Sequence, residues 1–88
     1  MLAFRLEYKN SVKKELRKLA MVDRAMIIHK IELLKDEPRP EGSAKLKGSG
    51  DLRRIRHGDY RVIYQIQKQV LVIMIIRIGH RREIYKNL

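Results

Sequence analysis

The sequence predicts an α+β fold: an N-terminal strand, a helical hairpin, then a three-stranded antiparallel meander that completes a four-stranded sheet. Three observations carry this reading. Residues 2–8 alternate apolar and polar side chains, residues 12–34 repeat apolar residues at helical spacing, and residues 52–78 hold three strand-like runs separated by two short turn signals.

In the first run Leu2, Phe4, Leu6 and Tyr8 alternate with Ala3, Arg5 and Glu7, the period of a strand with one buried face. Asn10 or Ser11 then serves as a helix cap, and Val12, Leu16 and Leu19 line one side while Lys13, Lys14, Arg17 and Lys18 turn to solvent. A second helix is expected from the cap Asp23, with Ala25, Ile28, Ile31 and Leu34 as its apolar stripe. Met21 and Met26 read as packing residues of this helix and His29 as structural. Asp36-Glu37-Pro38 stops it, because proline lacks the N–H and restricts the residue before it.

Residues 38–51, PRPEGSAKLKGSGD, hold both prolines and three glycines and are expected to be a loop carrying Lys45 and Lys47. The next strand runs from Leu52 to His57, turns at Gly58-Asp59, where Asp59 supplies turn chemistry, and returns from Tyr60 to Gln67. After a turn at Lys68-Gln69, Val70–Ile78 is almost continuously apolar, the mark of a central strand. The first strand is the element left to flank it, so the expected order is 1-4-3-2. The helices then cover one face and leave the other to arginines.

Eighty-eight residues fit one domain, 1–88, and a chain of this size buries about 60% of its unfolded surface, which suits one sheet under one helical layer. Without cysteine there is neither a disulfide nor a thiolate metal site. No apolar run approaches the roughly 18 residues of a membrane span, and the start lacks the order of a signal peptide. A cytoplasmic protein with no membrane partner is expected. The net charge of +11 and pI near 10.4 favour a polyanionic partner. Residues 1–51 hold 12 basic and 8 acidic side chains, and residues 52–88 hold 9 and 2, so the meander is the electropositive part.

Within the meander, alternation gives Arg54 and Arg56 one face and Arg61 a face with Ile63 and Gln65, while Val62, Tyr64 and Ile66 point the other way. Paired across the hairpin, the arginines converge, and Arg81 and Tyr85 follow the last strand. Tyr60 and Tyr64 read as sheet packing and His57 as a surface residue. An open face of arginines is also what a solvated surface looks like. No cluster of His, Asp and Glu has ligand spacing, so neither metal nor cofactor is expected, nor a small-molecule ligand.

The order KLKGSGDLRRIRHGDYRVIYQI followed by VIMIIRIGHRREIY resembles the RelE/ParE superfamily of toxins, and RIRHGDYRVIY is its most specific piece. With the helix hairpin upstream, the resemblance covers nearly the whole chain. It implies a fold similar to small microbial ribonucleases. For the RelE branch it implies the toxin of a type II toxin–antitoxin pair, a ribosome-dependent endoribonuclease that cuts mRNA in the A site and is neutralised by a RelB-type antitoxin. The ParE branch poisons DNA gyrase instead, and a noncatalytic RNA-binding module is a third alternative.

The RelE pattern places two basic residues on the second strand, an arginine on the third, one after the fourth and a tyrosine near the C-terminus. Arg54, Arg56, Arg61, Arg81 and Tyr85 fill those places, with Lys45, Lys47, Arg53, His80 and Arg82 expected to bind RNA around them. The two second-strand positions are lysines in bacterial RelE and arginines here. A guanidinium holds phosphate but effectively never gives up its proton. Metal-free RNA cleavage needs a base for the 2′-hydroxyl, a stabiliser for the phosphorane and an acid for the 5′-oxygen. Tyr85 is the first choice of base, because neighbouring arginines favour a phenolate, and His80 is the second.

Overall fold

The structure, a computed structural model, describes residues 3–48 and 51–86. Its elements are β1 (Arg5–Tyr8), α1 (Asn10–Arg17), α2 (Met21–Leu33), β2 (Ala44–Lys45), β3 (Leu52–His57), β4 (Tyr60–Gln67) and β5 (Val72–His80). They form one sheet in the order β1-β5-β4-β3-β2, in which β1 runs parallel to β5 and the other pairs are antiparallel. This is the expected arrangement with one addition. Within the expected loop, Ala44 and Lys45 pair with Arg54 and Arg53, making a fifth, two-residue strand. The outer edge of β3 offers unpaired N–H and C=O groups, and even a short segment satisfies some of them. Leu2 of the first strand and Ser49-Gly50 of the loop lie outside the described residues.

Both helices pack on one face. Val12 and Leu19 with Ile27, Ile31 and Leu34 meet Ile55, Val62, Tyr64, Ile66, Ile73, Ile75 and Ile78 in a single buried cluster, with Leu16 and Tyr60 partly buried against it. Neither helix begins with the expected side-chain cap. Lys9 occupies the cap of α1, and its N–H donates to the Ile75 carbonyl at 3.0 Å, so the helix starts directly where the strand ladder ends. The second helix starts at Met21, two residues before Asp23, whose carboxylate instead meets His57 Nε2 at 3.0 Å. His57 is therefore a half-buried tie between α2 and β3 rather than a surface residue.

The buried stripe of α2 is Ile27, Ile31 and Leu34, while Ala25, Ile28 and His29 are exposed, as are Met21 (77%) and Met26 (44%). These are corrections to the expected packing. The helix is apolar on most sides, so periodicity alone left its rotation open and contact with the sheet chose it.

The last strand begins two residues later than expected. Lys68–Val70 form a 3₁₀ turn and Leu71 adopts a left-handed φ of 54°, which uses up Val70 and Leu71 before pairing starts. Farther along the strand lies a bulge. Tyr64 pairs with Ile75 but Ile63 with Arg77, so Ile76 is the extra residue. It reverses the alternation along β5 and turns Arg77 away from the helices.

Candidate nucleic-acid interface

Directly opposed residues of an antiparallel pair share a face, so the register of the meander reads off the composition of the open side. One row across β3, β4 and β5 is Arg56, Arg61, Gly79; the next is Arg54, Ile63, Arg77. Four arginines thus stand on the side that the helices leave uncovered. Arg56 and Arg61 are directly opposed like charges, an arrangement that destabilises a sheet by up to about 1 kcal/mol and that a bound anion relieves.

Each arginine is held differently. Arg61 Nη1 donates to the carbonyls of Gly58 and Tyr60, both at 2.9 Å, which draws its guanidinium over the hairpin turn and leaves the Nε–Nη2 edge out of these bonds. That edge is the one that grips a phosphate with two hydrogen bonds. The Arg81 N–H donates to the Asp59 carbonyl at 2.7 Å and its Nε lies 3.4 Å from Asp59 Oδ1, so the same turn tethers Arg81. Asp59 was expected to serve the turn alone; it also fixes an arginine. Arg54 carries a buried Nη1 that has no hydrogen-bond partner among the described residues.

The C-terminal turn after β5 closes one border of this patch. The N–H groups of Glu83 and Ile84 donate to the His80 carbonyl at 2.9 and 3.0 Å. Ile84 is buried on the open face, where a Cβ at Gly79 would come within 3.2 Å of its Cδ1. A side chain at position 79 would crowd it. Ile63, fully buried, lies outside the main cluster on this same face. The open side is therefore not left to arginines alone, as expected; it has a small apolar floor with the turn as its roof. Tyr85 follows Ile84 and keeps 44% of its surface exposed at that border.

Arg54, Arg56 and Arg61 are thus brought to one side of the sheet, with Arg81 tied to the hairpin turn and Tyr85 on the C-terminal turn. Of the remaining expected RNA contacts, Arg82 lies on the bordering C-terminal turn, while Arg53, Lys45, Lys47 and His80 lie elsewhere. Arg53 pairs with Tyr64 and shares its helix-side face, where its Nη2 donates to Ser43 Oγ at 2.9 Å, and Lys45 pairs with Arg53. Lys47 is exposed beyond β2, at the far edge of the sheet from the C-terminal turn. His80 pairs with Tyr60 on the helix side, its ring edge-on to the Tyr60 ring at 6.2 Å. Its Nδ1 accepts the Arg82 N–H at 3.2 Å, which ties the ring to the C-terminal turn. Arg82 is exposed on the C-terminal turn.

Among the other tyrosines, burial pushes the Tyr64 phenol up from 10.0 despite the opposing pull of Arg53 and Ser43, and its hydroxyl donates to the Pro38 carbonyl at 2.7 Å. Burial, then Glu32, raises Tyr8 as well. Both stay neutral. Arg77 was not singled out from the sequence, because it lies inside an apolar run; its one signal is the charge itself.

A family model described as the ParE toxin of type II toxin–antitoxin systems (parDE) matches residues 6–85. The chain is 32% identical to the mRNA interferase toxin RelE of Escherichia coli K12, over 98% of its own length and 94% of that protein. Among solved structures it is similar to the RelE–RelB complex of Pyrococcus horikoshii, with a TM-score of 0.81 and 32% identity over 93% of this chain and 99% of that one. It is also similar to the intact RelBE toxin–antitoxin complex of E. coli, with a TM-score of 0.79 and 30% identity over 89% and 96%. Matching these proteins over almost their whole length, the chain belongs to the RelE/ParE superfamily of toxins.

Proposed function

We propose that this chain is the toxin of a type II toxin–antitoxin pair and acts as a ribosome-dependent endoribonuclease on mRNA. The observation that supports the reading is the register of the meander, with Arg54, Arg56 and Arg61 on one face and Arg81 tied to the hairpin turn beside them. The 32% identity to an mRNA interferase supports it.

In this mechanism Arg54, Arg56, Arg61 and Arg81 clamp the scissile phosphate and its neighbours. Tyr85 removes the proton of the 2′-hydroxyl, whose oxygen attacks phosphorus as the bond to the 5′-oxygen breaks. The products are a 2′,3′-cyclic phosphate and a 5′-hydroxyl, the 5′-oxygen taking its proton from solvent water as it leaves. Arg61 and Arg81, pinned by the hairpin turn, face the charge that grows on the phosphorane, and preorganised donors act most strongly on such charge. Purified protein added to ribosomes programmed with a defined message tests this. Cleavage in the A-site codon is expected, with most of it lost when Tyr85 is replaced by phenylalanine. Uncut message with the unaltered protein would overturn the reading.

The partners in this reading are the ribosome and mRNA in the cytoplasm, and a RelB-type antitoxin. Relatives of this chain form RelE–RelB complexes, and a surface carrying +11 favours an acidic, amphipathic binder. It would cover the arginine face or displace the turn that bears Tyr85. Co-expression with the adjacent reading frame is expected to give a stable complex and suppress toxicity.

A second reading comes from the family model, which is described for ParE: inhibition of DNA gyrase without nuclease activity. Supercoiling by gyrase in the presence of the purified protein separates the two readings.

A further inference from the structure

Tyr85 sits on a short turn, which is a poor mount for a residue that must meet a 2′-hydroxyl within hydrogen-bond reach. The backbone on both sides of it is gripped by one side chain. Arg77 Nη1 donates to the Ile84 carbonyl at 3.3 Å and to the Lys86 carbonyl, the residues immediately before and after Tyr85. Arg77 is itself held. Its Nε lies 3.9 Å from Glu15 Oε2, and the other oxygen of that carboxylate accepts the Ile78 N–H at 3.0 Å, at the edge of β5 past the last pair with β1. Both side chains are half-buried, with 31% and 24% of their surface exposed.

We propose that Arg77 is a positioning residue for Tyr85: a clamp, anchored on α1 through Glu15, that sets the phenol against the arginine face. The inference rests on Tyr85 as the proton-transfer group of the proposed cleavage. Neighbouring features agree with it. The bulge at Ile76 is what turns Arg77 to this side of the sheet, and Gly79 gives Ile84 room to lie flat beneath the turn. Charge-assisted bonds to two carbonyls fix direction as well as distance. A misplacement of about 1 Å is enough to cost on the order of 10²-fold in rate.

The test is Arg77→Met, which keeps the apolar stem and removes the guanidinium. On programmed ribosomes the maximal cleavage rate is expected to fall on the order of 10²-fold with ribosome affinity unchanged. Arg77→Lys should restore part of it. In a Tyr85→Phe background the same substitution should add almost nothing, since a clamp has no effect once the group it positions is gone. Hydrogen exchange at the amides of Tyr85 and Lys86, which needs no activity, should speed up in Arg77→Met.

The outcomes separate the two layers. Normal cutting by Tyr85→Phe sinks the reading of Tyr85 and the positioning role with it. A dead Tyr85→Phe beside an Arg77→Met with unchanged rate and exchange sinks the clamp alone. Weaker ribosome binding at an unchanged maximal rate makes Arg77 an RNA contact, and a loss of rate equally large with and without the Tyr85 hydroxyl makes it merely structural; either result overturns the proposal. If Arg77→Met does not fold, Glu15→Gln carries the same test, because it keeps an acceptor for Ile78 N–H and removes only the charge beside Arg77. A several-fold fall in rate is then expected, and no fall overturns the clamp.

Discussion

The two faces of the sheet are built from the same strands and obey opposite rules. On the helix side, alternate residues of β3, β4 and β5 are Ile55, Val62, Tyr64, Ile66, Ile73, Ile75 and Ile78, all buried beneath α1 and α2. On the other side the same strands present Arg54, Arg56, Arg61 and Arg77 around a single fully buried isoleucine, Ile63. The first face lowers the free energy of the fold by removing apolar surface from water. The second raises it, by opposing the like charges of Arg56 and Arg61. A small domain keeps such a face when a ligand completes it, and the difference separates residues kept for stability from residues kept for binding.

The strongest way to break this comparison is to cut into both faces with the same substitution. Ile75→Ala is expected to cost roughly 2–5 kcal/mol of stability, while molecules that remain folded cut RNA normally. Ile63→Ala should cost a similar amount, since Ile63 is also fully buried, yet it should also slow cleavage by disturbing the strand that carries Arg61. Denaturant midpoints and single-turnover rates measure the two, and matching effects on both would erase the distinction between faces.

Arg61→Ala should lower cleavage on the order of 10²-fold, about 2.7 kcal/mol in the barrier, with a smaller loss of binding. Its melting temperature should hold or rise, since the repulsion with Arg56 disappears. A large fall in melting temperature would give Arg61 to the fold instead. Binding to single-stranded RNA should weaken with salt at a slope of about −3 to −3.5, from four or five phosphate contacts at roughly −0.7 each. Affinity independent of salt would exclude the arginine face as the binding surface.

The smallest expected effect comes from the helix side. Tyr64 and Tyr8 are raised above 10.0 in the folded chain, chiefly by burial. The unfolded chain therefore loses these protons first, and stability falls as pH climbs from about 10 through the raised values. The alkaline limb of a stability–pH curve should flatten in Tyr64→Phe, and an unchanged limb would assign it to other groups.

Much of this was legible in the sequence because period-2 alternation survives any packing. The limits of β3 and β4, the turn at Gly58-Asp59, the neighbours of β5 and the shared face of Arg54, Arg56 and Arg61 all follow from it. Local chemistry was less reliable where a distant partner competed. Asp23 looks like a cap until His57 takes its carboxylate, and α2 cannot show which of its apolar sides is buried until a sheet lies against it.

What the sequence by itself determined is the strand order and the arginine face, since both depend on spacing along the chain and on which runs are apolar. What only the tertiary structure decided is the orientation of single residues near the end of β5. One bulged residue, Ile76, reverses the alternation, turns Arg77 out of the core and sets His80 on the helix side. A bulge is stabilised by contacts across strands and not by the residue that forms it, so nothing local announces it. The grip of Arg77 on the carbonyls beside Tyr85 depends on that one displaced residue.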